Sequence, residues 1–374
     1  MNQQKNLREV ARLFFKLGCI GFGGPAVHIA MMEEEVVRKR KWITPQHFLD
    51  LVGATNLIPG PNSTEMTMHC GYERAGWKGL IVAGTCFIIP AVIITAIFAW
   101  AYQQYGKLPR VQPFIYGIAP AIISVIVAAM ISLGKKALKS VILGILGFIA
   151  MVAVLTGMNE IYVLFGAGLL GIIIHFLSQP KKIVQGVFPF TLLQAGYYFQ
   201  ELPASKLFLI FLKVGAILYG SGYVLFAFLD AELVAKGFLS KQTLVDAIAV
   251  GQFTPGPVFT AATFIGWQLG GWGGALAATI GIFLPSFLFV YFLNPLIPAL
   301  RRSAVMSAFL DTVNIVSVAI IIAVCIEMGR EAIGDWRTAL IAVLGFIVSH
   351  FFKRINSAFI VIGGALIGYL LSLI

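Results

Sequence analysis

Long apolar stretches separated by short polar loops run along most of the chain. Eight of them approach or exceed the roughly 20 residues that an α-helix needs to cross the hydrocarbon core of a bilayer. They lie at 79–102, 111–133, 138–157 and 161–177 in the first half, and at 273–293, 304–328, 337–352 and 358–374 in the second. The pattern predicts an all-α polytopic membrane protein with the lipid bilayer as its main surroundings.

Composition supports the same fold class. Hydrophobic residues make up 59% of the chain and charged residues 11%, with a mean hydropathy of +0.90, whereas soluble domains carry about 25% charge. Residues 1–16 are polar and basic, so we expect no cleavable signal peptide. The four cysteines form no C-x-x-C motif and three lie in apolar sequence. We therefore assign neither a disulfide nor a metal site, and we expect no cofactor.

The formal net charge of +11 does not indicate nucleic-acid binding here, because Lys and Arg in membrane proteins mainly mark the loops kept in the cytoplasm. In the first half, the lysine-rich loops at 135–139 and 181–182 fall on one side of the membrane. In the second half, the basic residues at 301–302 and 353–354 lie instead in the loops that correspond to the lysine-poor loops of the first half. This reversal predicts two repeats of inverted topology.

Matching motifs recur in the same order in both halves. They include QHFLD at 46–50 with QTLVD at 242–246, GWKG at 76–79 with GWGG at 271–274, and Pro90 with Pro285. We predict a first repeat at 1–182, a linker at 183–205 and an inverted second repeat at 206–374.

The number of spans stays between about eight and ten, because two topologies fit the pattern. Either one broken segment of each half crosses the membrane fully, or the linker crosses and the broken segments are re-entrant. The basic run at 38–41 favours re-entrant hairpins, since it places both ends of the first pair of short segments in the cytoplasm.

A proline-glycine-proline break interrupts the sequence once in each half. Paired breaks at matching points of two repeats are typical of the substrate site of a secondary transporter, whereas a single break is often only a kink. After the first break, Asn62 and Glu65 have the spacing of a capping box, and the new helix offers its N-terminal amides to an anion. The candidate binding residues at the two breaks are Pro59, Gly60, Pro61, Asn62, Ser63, Thr64, Pro255, Gly256 and Pro257.

A glycine-rich break precedes each of these sites. Gly23, Gly24 and Pro25 match Gly220, Ser221 and Gly222 in the second half; Gly24 is expected to cap a helix with Pro25 at its first position. A ligand role and close helix packing both fit these small residues.

Few ionisable residues lie in apolar sequence, so each is a functional hypothesis. Lys16 and Lys213 occupy equivalent positions and are candidates to neutralise an anion, to pair with Asp50 or Asp246, or to snorkel to the interface. Glu65 and His28 are candidates for proton coupling; a capping role for Glu65 and a satisfied hydrogen-bonding role for His28 are the simpler alternatives. The glutamates at 33–35 read as a solvated charged loop.

Taken together, these motifs resemble the chromate ion transporter family in its long, two-domain form. The resemblance rests on FGGP at 22–25 followed by His28, on KWI at 41–43, on the pattern from Leu51 to the first break, and on GWKG. It implies a multi-pass protein of the cytoplasmic membrane that exports chromate, a tetrahedral dianion, using the proton-motive force. The second half departs from the first at Val258 and Phe259. The resemblance therefore does not imply that the two breaks contact the substrate equally.

Other functions stay open at this point. A carrier of sulfate or another oxyanion, acting as an exporter or an importer, fits the same motifs. An intramembrane enzyme is disfavoured, because the chain has no H-E-x-x-H motif and no recognisable carboxylate dyad. A channel would reveal itself by currents far above carrier turnover. The oligomeric state is not fixed by the sequence, and a homodimer is one possibility.

Overall fold

In this computed structural model, residues 2–22, 24–55, 58–106, 108, 112–178, 203–219, 224–293, 303–352 and 355–373 are described. Helices account for the regular structure of these ranges, and no strand occurs within them. The predicted all-α class is confirmed. Most of the predicted linker, at 183–202, lies outside the described residues.

The first repeat begins with the helices that flank its two breaks and continues into the apolar helices predicted as spans. Its helices are α1 (Asn2–Ile20), α2 (Pro25–Met32), α3 (Pro45–Thr55), α4 (Asn62–Tyr105), α5 (Gln112–Ala137), α6 (Val141–Leu155) and α7 (Glu160–Ser178). α2 continues into a π-helical turn, Glu33–Lys39.

The second repeat follows the same order. Its helices are α8 (Ala204–Ile217), α9 (Val224–Leu229), α10 (Lys241–Phe253), α11 (Ala261–Leu293), α12 (Ala304–Ala332), α13 (Trp336–Phe351) and α14 (Ser357–Ser372). A π-helical turn, Asp230–Val234, again follows the second helix, and a 3-10 turn, Val258–Thr260, precedes α11. The predicted internal repeat is therefore present in the structure.

α4 and α11 each reverse direction at their G-W motif. Helical geometry is broken at Ala75 and Gly76 in α4 and at Gly270 and Gly271 in α11. The hydroxyls of Thr263 and Thr279 lie 2.8 Å apart, although 16 residues of straight helix would separate them by about 24 Å. Each helix is thus a hairpin of a short and a long limb, with bounds of 62–74 and 77–105 in α4 and of 261–269 and 272–293 in α11.

The broken segments form re-entrant hairpins. α2 and its π turn fold back along α1, which brings Glu35 to 3.9 Å from Lys16. The same return in the second repeat brings Glu232 to 2.7 Å from Lys213. The structure thus favours the second of the two topologies for the broken segments, in which they are re-entrant.

The two repeats point in opposite directions. The base of the first-repeat hairpins lies beside the start of the long limb of α4, where Arg74 bonds Glu9 at 2.7 Å. The base of the second-repeat hairpins lies at the other end of that limb, where Trp267 donates to Gln103 at 2.8 Å and Gln268 donates to the carbonyl of Ala99 at 2.9 Å. The inverted topology predicted from the charge pattern is confirmed.

The repeats are also interlocked. α5 packs against α13 and α14 of the second repeat, while α12 packs against α6 and α7 of the first. α4 and α11 pack against each other at the centre. Because each repeat completes the core of the other, the chain forms one helical body and not two separate bundles.

Five described helical segments are long and apolar enough to span a bilayer: Asn62–Tyr105, Gln112–Ala137, Glu160–Leu177, Val258–Phe292 and Ala304–Arg330. The other three predicted spans fall on α6, α13 and α14, which have only 15 or 16 residues and so a length of about 24 Å or less. Large apolar side chains on the outer surface, such as Ile97, Phe148 and Phe359, are more than half exposed. They are suited to face lipid.

Candidate functional site

A cavity of about 560 Å³ lies where the breaks of the two repeats meet. The first repeat contributes Pro25 and His28 after its glycine break, and Pro61, Asn62 and Ser63 after its proline break. The second repeat contributes Val224 after its glycine break and Pro257, Val258 and Phe259 after its proline break. The end of α5 and one face of α12 complete the wall.

The cavity lies near mid-height in the molecule. A Cβ atom built on Gly256 would lie 2.8 Å from the Cβ of Ala91, which is halfway along the long limb of α4. If this limb crosses the bilayer, the proline breaks sit close to the midplane. Non-helical backbone at that depth requires protein or a watery cavity around it, and the structure provides the cavity.

The proline breaks are held by reciprocal hydrogen bonds between repeats. Gly60 has a φ of 138° and Gly256 a φ of 92°, a left-handed region that disfavours side chains. The Gly60 amide donates to the Leu218 carbonyl, and the Gly256 amide donates to the Gly21 carbonyl, both at 2.8 Å. Gly60 and Gly256 occupy matching positions, as do Gly21 and Leu218, so one local pseudo-two-fold axis relates the pairs.

The predicted binding residues at the proline and glycine breaks divide into three groups. Pro25, Pro61, Asn62, Ser63 and Pro257 line the cavity. Pro59, Gly60, Thr64, Pro255 and Gly256 belong to the same breaks and shape them from behind, and Gly24 caps α2 with a φ of 81° and Pro25 at the first helical position, as expected. Gly23, Gly220, Ser221 and Gly222 lie outside the described residues.

The predicted capping box at Asn62 is wrong. α4 begins at Asn62, and its N-cap is Pro61, whose carbonyl accepts from the amides of Thr64 and Glu65. Because Pro61 sits at the N-cap, Asn62 already has helical geometry and Glu65 lies one position too far along to complete a box.

Glu65 instead lies behind the break. Its side chain is fully buried, and Oε1 accepts from the Ser286 hydroxyl of α11 at 3.3 Å. Oε2 has no hydrogen-bond partner among the described residues. A side chain on Gly60 would meet both Glu65 and Ser286, so the carboxyl is packed directly against the proline break and not in the cavity itself.

Lys16 and Lys213 are placed away from the cavity. Their partners are Glu35 and Glu232 of the π-helical turns, not the aspartates suggested by the sequence. Lys39 and Lys236 bind the same two glutamates, which gives each repeat an equivalent ion-paired cluster. Glu35 is only 12% exposed, so the predicted solvated loop is wrong at this residue.

These clusters perturb the two glutamates in the same sense. Burial acts to raise the pKa of Glu35 and of Glu232. Arg40 and Lys39 at Glu35, and Lys213 and Lys236 at Glu232, outweigh this effect and hold each pKa below its ordinary value. Each glutamate therefore stays ionised and fastens the returning hairpin to α1 or α8.

A sequence model described as "Chromate transporter" matches residues 8–172 of the chain and matches again at residues 205–369. The chain belongs to the chromate transporter family. The two matches cover the two structural repeats in turn, so the repeat is a property of the family pattern.

Relatives support this assignment over nearly the full length. The chain is 30% identical to a chromate transport protein of Cupriavidus metallidurans, over 97% of this chain and 92% of the relative. It is 27% identical to a probable chromate transport protein of Synechococcus elongatus, over 97% and 95%, and 27% identical to an uncharacterized transporter of Methanocaldococcus jannaschii, over 96% and 92%. No solved structure matches the chain.

In this member of the chromate transporter family, sequence reasoning missed the polar face of α12. Ser307, Asn314 and Ser317 line the cavity, and their spacing places them on one face of a helix. The signal was present, since they are polar residues at helical spacing inside the apolar stretch 304–328.

The mouth of the cavity was also missed. Lys136 and Lys139, at the end of α5 and just beyond it, line the cavity and are exposed, and Lys139 pairs with Asp311 of α12 at 2.6 Å. Loops rich in lysine face the cytoplasm. The cavity of this family member therefore opens on its lysine-rich side.

The opposite side is closed by contacts between repeats. Tyr102 donates to Asp246 at 2.6 Å, and Thr95 donates to Thr260 at 3.3 Å. The hydrogen bonds of Gln103 and Ala99 lie on the same side. These contacts join the far half of α4, which is the C-terminal half of its long limb, to α10, to α11 and to the 3-10 turn before α11. The described residues thus form a cavity with one open and one closed side.

Among the described residues, no group of three or more His, Cys, Asp or Glu side chains is arranged to hold a metal ion.

Proposed function

We propose that this protein exports chromate across the cytoplasmic membrane and that the cavity between the breaks is its substrate site. One observation carries the proposal: breaks from both inverted repeats border a single cavity near mid-height, and helix N-termini open onto it. The first amides of an α-helix have no intrahelical partners and carry a partial positive charge. They suit a small tetrahedral anion without requiring a buried cation.

The direction follows from the membrane potential. The cell interior is negative, so each negative charge that moves outward releases about 2.3 kcal/mol per 100 mV. The lysines at the mouth would gather anions from the cytoplasm, and their loops suit that side. Import of the same anion would need additional coupling.

Alternating access is the mechanism that this arrangement favours. In this proposal the mouth near Lys139 faces the cytoplasm, and the anion is released outward once the repeats rock about the central breaks. That motion would open the contacts between the far half of α4 and the helices α10 and α11, and would close the mouth near Lys139. Proton coupling is assigned to Glu65, the fully buried carboxyl against the first break.

Everted membrane vesicles provide the test. Vesicles that contain the protein should accumulate labelled chromate when energised, and vesicles without it should not. Asn62→Ala and Ser63→Ala should reduce accumulation, while Ser372→Ala, at an exposed serine far from the cavity, should not. Accumulation of sulfate without chromate would overturn the substrate, and chromate uptake by right-side-out vesicles would overturn the direction.

The placement of the two repeats in the membrane can be tested separately. In a protein whose four cysteines are replaced by alanine, Lys135→Cys and Ala332→Cys mark equivalent helix ends of the two repeats. Opposite orientation predicts that an impermeant maleimide reaches the first from the cytoplasm and the second from outside. Labelling of both from one side would contradict this placement.

A further inference from the structure

Two buried polar atoms in the wall of the cavity lack hydrogen-bond partners among the described residues. They are Nδ1 of His28 and the hydroxyl oxygen of Ser317. Both side chains line the cavity, and each residue is only 2% exposed. Buried polar groups normally have a partner, so both atoms are available to a ligand.

The other ring nitrogen of His28 fixes its chemistry. Nε2 lies 2.7 Å from the carbonyl oxygen of Gly21, and a carbonyl only accepts. Nε2 therefore carries the ring proton, and in a neutral ring Nδ1 is an acceptor. The same Gly21 carbonyl accepts the Gly256 amide at 2.8 Å, which ties the position of His28 to the break of the second repeat.

The surroundings of His28 favour the neutral ring. Just after α1 it meets the Gly21 carbonyl, and from α4 it meets the ring of Phe87, edge-on at 5.3 Å. The carboxyl of Glu65, also on α4, is turned to Ser286. The charged groups that share the cavity wall are Lys136, Lys139 and Asp311, the last two already paired. A buried imidazolium without a carboxylate partner would be costly here.

A neutral acceptor in an anion cavity requires a ligand that donates a proton. We infer that the cavity binds the singly protonated form of a tetrahedral oxyanion, whose O–H donates to Nδ1 of His28 while the Ser317 hydroxyl donates to a second oxygen. The helix N-termini at the breaks hold the remaining negative charge. This inference rests on the proposed function and specifies the protonation state of the substrate.

Selectivity follows from this arrangement. Chromate takes up a proton near neutral pH, whereas sulfate does so only in strong acid. The two dianions have the same shape, so helix amides alone would discriminate poorly between them. A site that demands an O–H donor rejects the ion that lacks one, because His28 would then stay buried and unpaired.

Chromate binding to the full-length protein in detergent, measured between about pH 6 and pH 8.5, tests the inference by linkage. The wild-type Kd should rise about tenfold per pH unit once the free anion loses its proton. His28→Gln places an amide nitrogen where Nε2 lies and keeps the bond to Gly21, but it removes the Nδ1 acceptor. It should weaken binding about tenfold or more at the acid end and flatten the pH dependence.

Ser317→Ala supplies the second variant. It should weaken chromate binding about tenfold and keep the pH slope, since the acceptor on His28 is intact. The matched control is Ser124→Ala, because Ser124 is a buried serine that already donates to the carbonyl of Ala121 and does not line the cavity. Sulfate, used as a competitor, should not gain affinity as the pH falls.

The outcomes separate the two proposals. A pH-independent Kd, or unchanged binding in both His28→Gln and Ser317→Ala, overturns the inference and leaves chromate transport standing. Sulfate affinity that rises in parallel with that of chromate also overturns it, since the proton would then reside on the protein. If the wild type binds no chromate at any pH, the proposed function falls together with the inference.

Discussion

The amide nitrogen of Gly60 donates a hydrogen bond to the carbonyl oxygen of Leu218 across the boundary between the repeats, at 2.8 Å. Its symmetry mate joins Gly256 to Gly21 at the same distance. Each proline break is thus fastened to the end of the first helix of the other repeat. During any rocking motion that exposes the cavity to the other side, these two hydrogen bonds must either stay intact as the repeats move or be replaced by others.

Gly60→Ala should damage this junction. The backbone of Gly60 is left-handed, and a Cβ there would meet the Glu65 carboxyl and the Ser286 hydroxyl. We expect a loss of about 2–4 kcal/mol of stability from strain and overpacking, measured as a lower melting temperature in detergent. Gly76→Ala is the control, because Gly76 also has a positive φ but open space around it. Equal losses in the two variants would show that packing at the break contributes nothing.

Lys139 should act through its charge at the mouth. Lys139→Gln removes a cation that lines the cavity entrance, so the apparent KM for chromate should rise about two- to fivefold at low salt and approach the wild-type value as ionic strength increases. Asp311→Asn should shift KM in the opposite direction. Lys135→Gln is the control, since Lys135 is exposed near the end of α5 but does not line the cavity. An effect insensitive to salt would point to a structural role.

Glu65→Gln should separate binding from coupling. The substitution keeps the size of the side chain and its contact with Ser286 but removes the ionisable proton. Chromate binding in detergent should change little, while transport driven by an imposed pH gradient should fall about tenfold or more, as expected for a functional carboxyl in a membrane span. Ser286→Ala keeps the carboxyl and should retain gradient-driven transport. A fully coupled Glu65→Gln protein would exclude Glu65 as the coupling residue.

Tyr102→Phe should loosen the closed side. Tyr102 donates to the largely buried Asp246 at 2.6 Å, and a hydrogen bond to a charged group contributes about 1.5–3 kcal/mol. Hydrogen exchange in α10 should therefore speed up by about tenfold or more. Tyr105→Phe serves as the control, because the Tyr105 hydroxyl has no hydrogen bond within the described residues. Unchanged exchange in α10 would mean that this bond does not hold the closed side.

Local sequence rules succeeded where neighbours along the chain decide the structure. Pro25 begins α2 after Gly24 because its fixed φ suits the first helical position. The same rules failed at Asn62, because the spacing of a capping box does not reveal which residue takes the N-cap. They also did not predict the reversal in α4, where Gly76, with a positive φ, folds the helix back on itself.

Contacts between distant segments lay beyond those rules. Glu35 reads as one charge in an exposed run, yet the return of α2 along α1 buries it between Lys16 and Lys39. The unpaired nitrogen of His28 becomes visible only when Gly21 takes the other ring nitrogen. Ser317 carries a periodicity signal, but only the packing of α12 places it in the cavity wall.

The lipid surroundings, the repeat and its inversion could be predicted from the order of residues. Hydrophobic length, repeated motifs and the placement of lysines are local properties of the chain, and they act through the bilayer. The folded structure was needed to see which atoms face the cavity, which side is open and which charges are paired. Those properties depend on contacts between residues far apart in sequence, since two interlocked repeats bring together groups that no local pattern relates.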